Sequence, residues 1–259
     1  MIQFLQITRF EFRTAVRRWG VWLAFGIAGA FTMAMFFTSG PGRDPLSGGS
    51  DASRQLAGQM TFMLNAILCV VAGIVISDRL LRDTQTGFSE LRACTPTLTR
   101  RYLAAKYAGS LLSLILPALA IDLLMGVITL ILYPYLSLSL LANEFLAFAT
   151  ISLPSLAFLT AFSLAGPLVM PLRVYQILFT GYWFWGNFLH PTVMPTLSHT
   201  PLAASGKFAL SAFFGVNMIL YDPVFTPADV ALNLAVLAVC TLAALLAARV
   251  LLDRKAALA

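Results

Sequence analysis

"DRLLRDTQTGFSELRACTPTLTRRYLAAK", residues 78–106, holds nine charged side chains in twenty-nine positions. The chain around it is the opposite: of 259 residues, 59% are apolar and 11% charged, with a mean hydropathy of +0.84. An ordinary soluble domain carries about 25% charged residues. Working outward from the charged segment, no charge occurs in 19–42, 55–77, 107–121, 123–143, 145–172, 174–206 or 230–248. Crossing a hydrocarbon layer takes about 20 apolar helical residues. The pattern is that of a helical membrane protein, with residues 78–106 as a connection outside the lipid.

Six spans are expected, at 20–38, 57–77, 107–133, 140–166, 174–190 and 228–251, in one domain covering residues 1–259. The apolar run from 107 to 143 exceeds one span, and Tyr133-Pro134-Tyr135 splits it into a tight hairpin with interfacial aromatics. Pro167 and Pro171 bracket the next turn. Residues 191–227 carry Pro191, Pro195, Pro201, Pro223 and Pro227 around "FALSAFFGVNMIL", 208–220, which is too short to span. They read as a re-entrant or surface segment in the outer half of the membrane, or as a helix that only fills space. Residues 1–19, drawn as a helix, gather Met1, Phe4, Leu5, Phe12, Ala15, Val16 and Trp19 on one arc and Gln6, Arg9, Arg13 and Arg17 on the other. That suits an interfacial helix, the alternative being an extension of the first span. Its dispersed arginines are unlike a cleavable signal peptide.

Basic residues set the orientation. With the N-terminus inside, fourteen of the seventeen lie on the cytoplasmic side, leaving Arg43, Arg54 and Lys207 outside. Both termini are then cytoplasmic, in a multi-pass protein of the inner (plasma) membrane. The pI of 9.5 is a topology signal and calls for no nucleic acid. Cys69, Cys94 and Cys240 are expected as free thiols. With only His190 and His199 available and no cysteine pair beside them, no metal site is expected.

Within 78–106, Gly87 suits the end of a helix continuing from the second span. "FSELRAC" reads as a short amphipathic helix stopped by Pro96, and Thr97 or Thr99 as the cap of a helix running through Arg100 and Lys106 into the third span. Asp78, Gly87, Glu90, Thr95-Pro96, Thr99, Tyr102-Leu103 and Lys106 together resemble the loop between spans two and three of type-two ABC exporter permeases. "RFEFR", residues 9–13, is similar to the amphipathic start of that family. The family often has a Thr and a Leu pair after the glycine, where this chain has Phe88, Ser89 and a single Leu91.

The resemblance implies a six-helix permease subunit without enzymatic activity of its own. Its partners would be a separate ABC ATPase subunit, which binds ATP and Mg, and a second copy or a sister permease. Gly87, Phe88, Glu90, Leu91, Arg92 and Pro96 would form the coupling helix that docks on the ATPase. The cargo class would be hydrophobic or amphipathic: peptide, drug, lipid or lipid-linked glycan. The residues agree that this chain is not the motor: Gly206-Lys207 is followed by Phe208 and has Pro201 where a phosphate-binding loop needs its first glycine. No cofactor is expected in the chain.

Asp122 falls inside the third span. Intramembrane acids are expensive and mark pathways or helix contacts, so Asp122 is a candidate for the translocation path. The rival to the permease is a secondary transporter that uses Asp122 as its proton or ion site; a non-transporting immunity or scaffold protein is a third reading. Glu144 reads as a helix-start acid near the outer surface. Tyr182, Trp183 and Trp185 read as an aromatic belt, and Pro154 as a kink in span four.

Overall fold

A computed structural model describes residues 2–39, 50–85, 99–217 and 223–258. These residues are helical, with turns and irregular joints and no strand among them. Helix α1 (Ile2–Val16) is followed by α2 (Trp19–Ser39), α3 (Ser50–Ser77), the short α4 (Arg79–Gln85) and α5 (Thr99–Leu132). Helix α6 (Ser139–Ala147) runs through a π-helical turn (Phe148–Ser152) into α7 (Leu153–Ala165) and a 3-10 turn (Gly166–Leu168). Helices α8 (Leu172–Phe188), α9 (Lys207–Phe214) and α10 (Pro227–Leu258) complete the order.

Among the described residues, five helical stretches are long and apolar enough to cross a membrane: Trp19–Thr38, Ala52–Asp83, Thr99–Leu132, Ser139–Leu168 and Pro227–Arg254. The chain is a multi-pass helical membrane protein. Five of the six expected spans have such a helix. The remaining one, 174–190, coincides with α8, whose 17 residues rise about 26 Å.

Helix α3 is the centre, packed by α2, α5, α6, α7, α8 and α9. Helices in lipid associate through close packing and internal hydrogen bonds, so each neighbour needs a fitted face on α3. Trp183 illustrates this. Its ring is wholly buried and its indole N–H donates to the Ala66 carbonyl at 2.9 Å. That corrects the aromatic-belt expectation for this residue: a belt ring lies at the lipid–water boundary, whereas Trp183 is a packing anchor between α8 and α3.

The α5–α6 hairpin turns at the expected place, with the Tyr133 and Tyr135 rings edge to face at 5.9 Å. Pro154 acts through the π-helical turn just before it. Proline has no N–H to give, and the ladder widens so that the Leu153 N–H reaches back five residues to the Phe148 carbonyl. Helix α10 starts on a local signal: Asp229 accepts from the Thr226 N–H at 2.8 Å and its hydroxyl at 2.7 Å, with Pro227 at the first helical position.

A break at Arg17–Arg18 makes α1 a separate helix and removes the reading of residues 1–19 as an extension of the first span. Helix α1 packs on α5, where Gly109 lets it approach: a Cβ at that glycine would stand 2.8 Å from the Thr8 carbonyl oxygen. Its inward face also differs from the apolar arc drawn on the sequence. Leu5 of that arc is exposed and Glu11 points into the bundle, because cations on α4 and α5 await it there.

The two ends of the bundle differ. One, the charged end, gathers α1, α4, the start of α5 and the Gly166–Leu168 turn. The other, the hairpin end, holds the 133–138 turn. Helix α10 has Asn233 bonded to the Pro201 and Ala203 carbonyls early in its course and also packs on the Gly166–Leu168 turn. It therefore runs toward the charged end, where α1 also lies.

Candidate functional site

The predicted coupling residues Gly87, Phe88, Glu90, Leu91, Arg92 and Pro96 lie outside the described residues. What is described is how the flanks of that segment are held. Asp83 of α4 accepts from the Lys106 ammonium and the Tyr102 hydroxyl, both on α5. Lys106 also donates to Glu11 of α1 at 3.1 Å, and Glu11 in turn pairs with Arg79 at 3.5 Å. Lys106 is only 1% exposed. Three elements far apart in sequence, α1, α4 and α5, are thus joined through one buried cation. Such a pair costs desolvation to form but is strongly destabilised when one partner is removed. The segment leaves α4 and enters α5 from a clamped base.

A second polar group lies deeper. Asp122, placed in the third span by sequence and candidate for a path, sits on α5 ten residues from its hairpin end, about 15 Å along the axis. It is fully buried, and the Thr61 hydroxyl of α3 lies 3.1 Å from both carboxyl oxygens. One turn further along the same face is Gly126, and against it rests the carboxyl of Glu144 from α6; a Cβ on that glycine would stand 1.8 Å from Oε2. Glu144 is 0% exposed and neither of its oxygens has a hydrogen-bond partner. This corrects the reading of Glu144 as a solvated helix-start acid. Five residues into α6 the chain already lies under the packed hairpin, and the side chain turns inward because Gly126 leaves room for it.

Residue counting along one helix misses such a pair. The only signal in the sequence was the glycine one turn after Asp122, and it acquires meaning only when α6 is laid against it.

A third polar layer is one turn inward on α3. Asn65 donates to Ser155 Oγ at 3.1 Å and to the Ser205 carbonyl at 3.0 Å, and Cys69 donates to Asn65 Oδ1 at 3.1 Å. Ser155 is aimed here by the π-helical turn, with its hydroxyl 2.5 Å from the Ala204 carbonyl and 2.7 Å from that of Ile151. Asn187 at the end of α8 accepts from the Ala204 N–H at 2.7 Å. These bonds satisfy an irregular backbone held inside the bundle, the condition under which such backbone is tolerated at membrane depth. Helix α9 follows it and is itself buried, packed on α3 and α10.

An apolar cavity of about 330 Å3 opens between α7, α8 and α10, lined among others by Phe158, Phe162, Met170, Tyr175, Tyr182 and Cys240. Cys69 and Cys240 are unpaired thiols. Among the described residues, no three His, Cys, Asp or Glu side chains gather where a metal ion would be held. Compared with known protein families, curated proteins and solved structures, the chain matches none.

Proposed function

We propose that this chain is the permease subunit of an ATP-driven exporter of the type-two ABC kind. It would work as a dimer, with itself or with a sister permease, and ATP and Mg would be bound by a separate ATPase subunit. The observation that carries the reading is the clamped base of the 86–98 segment. A lever between a soluble motor and membrane helices works only if it is fixed at both ends, since a loose loop absorbs the motor's displacement. Asp83 on one flank and Lys106 on the other meet in one buried cluster, so a push on the segment is delivered to α3 and α5 together as rigid-body tilting.

The charged end is then the cytoplasmic one, with both termini on that side and α1 lying at the membrane surface. Helix α8 and the irregular stretch after it make the sixth crossing, with 189–217 entering the membrane from outside. The apolar cavity beside α8 suits a hydrophobic or amphipathic cargo.

The test is co-purification of the full chain with candidate ATPase subunits, beside a Glu90→Arg/Arg92→Glu variant. Retention of an ATPase by the wild type and its loss from the variant is the expected result. If no ATPase is retained and the variant behaves as wild type, the segment is only a topology signal and the permease reading fails.

A further inference from the structure

We infer that Asp122 and Glu144 together form a proton-binding site inside the bundle, at which an exchangeable proton ties α6 to α5. The inference is independent of whether an ATPase docks at the charged end, because it concerns groups more than 20 Å away along α5 by a rise of about 1.5 Å per residue.

Geometry carries the argument. The two carboxyls lie at one contact between adjacent helices, Asp122 one turn before Gly126 and Glu144 lodged on Gly126 itself. Both are fully buried. Thr61 supplies one hydroxyl to Asp122, and Glu144 receives no donor at all. A buried carboxylate needs hydrogen bonds or a countercharge, and two of them side by side need it more.

Among the described residues, no cation is placed to serve. Of the charged or titratable side chains described on the elements packed against α6, Arg54 lies two turns from Thr61 on α3 and is exposed. Cys69 lies two turns the other way, and Tyr107 and Lys106 are about 22 Å or more down α5 from Asp122. Among the described side chains, a metal ion would find two acids and one threonine, fewer than the three His, Cys, Asp or Glu groups of a metal cluster. A proton needs no more than two oxygens. It forms an O–H bond on one carboxyl oxygen, and its departure to water leaves one more negative charge on the pair.

The place also suits exchange. Glu144 is five residues from the start of α6, about 8 Å from the hairpin end, so water reaches it with a small opening of the α5–α6 contact. Losing the proton would set a bare charge against the backbone of Gly126 and loosen that same contact. Binding and release of the proton are thereby linked to the spacing of two membrane helices.

The experiment is infrared spectroscopy of the purified full-length chain in lipid nanodiscs, without any partner, as wild type, Asp122→Asn, Glu144→Gln and Glu144→Asp. The site predicts a protonated-carboxyl C=O band that shifts in D2O and titrates with pH. Glu144→Gln removes the band, while Glu144→Asp and Asp122→Asn displace it. A wild type with no titrating carboxyl band overturns the inference, as does a band unmoved by Glu144→Asp. Carboxylate bands that respond to added sodium and not to pH would replace the proton site with a cation site. Should Glu144→Gln fail to give a monodisperse protein, Glu144→Asp, which keeps the acid, decides alone. None of these readouts involves an ATPase, so this inference and the permease reading can fail separately.

Discussion

Glu144 lays its carboxyl on the backbone of Gly126 across the α5–α6 contact, so near that a methyl group on the glycine would stand 1.8 Å from Oε2. Two helices joined by a tight hairpin are thereby brought together at a point where one contributes an acid and the other contributes nothing but space.

Gly126→Ala is expected to push α6 from α5 and cost about 1–3 kcal/mol, the usual penalty of overpacking. Thermal unfolding in detergent should show a lowered midpoint, and adding Glu144→Ala to the same chain should recover most of it. An unchanged midpoint in the single variant would mean that the carboxyl is not lodged there.

Lys106→Met leaves Glu11 and Asp83 without their shared cation. Removing one member of a buried pair costs about 3–5 kcal/mol. Because the cation joins α1 to the bundle, the expected local sign is faster hydrogen exchange over residues 2–16, with the hairpin end unaffected. Equal protection of α1 in both proteins would show that its packing on α5, including the approach at Gly109, holds it without the ion pairs.

Asn65→Leu removes the donor to Ser155 and to the Ser205 carbonyl. Polar contacts between membrane helices are worth about 0.6–2 kcal/mol, so the fold should survive. Residues 189–206 should lose protection in hydrogen exchange, more than α3 itself does. Uniform loss across the chain would instead assign Asn65 to global packing.

Reporters fused to the two termini should both read cytoplasmic, since α1 and the far part of α10 lie at the same end of the bundle. Opposite readings would mean that α8 and the stretch after it do not complete a crossing.

Much of the architecture was legible in the chain as written. The hairpin at Tyr133-Pro134-Tyr135, the helix running through Arg100 and Lys106 and five of the spans follow from where charges, prolines and turn residues interrupt apolar runs, which are local properties. Other features depended on neighbours. Trp183 looks like a belt residue because nothing in the sequence says that Ala66 offers it a carbonyl. Glu11 lies beside Phe4 and Ala15 on the helix wheel, where an acid is out of pattern, and its burial is decided by Lys106 and Arg79, some 70 to 95 residues away. Ser155 enters the polar core because Pro154 forces the widened turn before it, a consequence of geometry more than of pattern.

By itself, then, the sequence determined that this is a multi-pass helical membrane protein with its charge concentrated in one connection, because the cost of placing polar groups in hydrocarbon is paid residue by residue. It also marked Asp122 as out of place. Only the tertiary structure decided that Glu144 joins it, that Lys106 clamps three helices, and that an irregular segment is held against Asn65 and Ser155. A side chain's burial and partners are set by which helix faces meet, and in lipid that choice rests on close packing and hydrogen bonds between residues far apart in the chain.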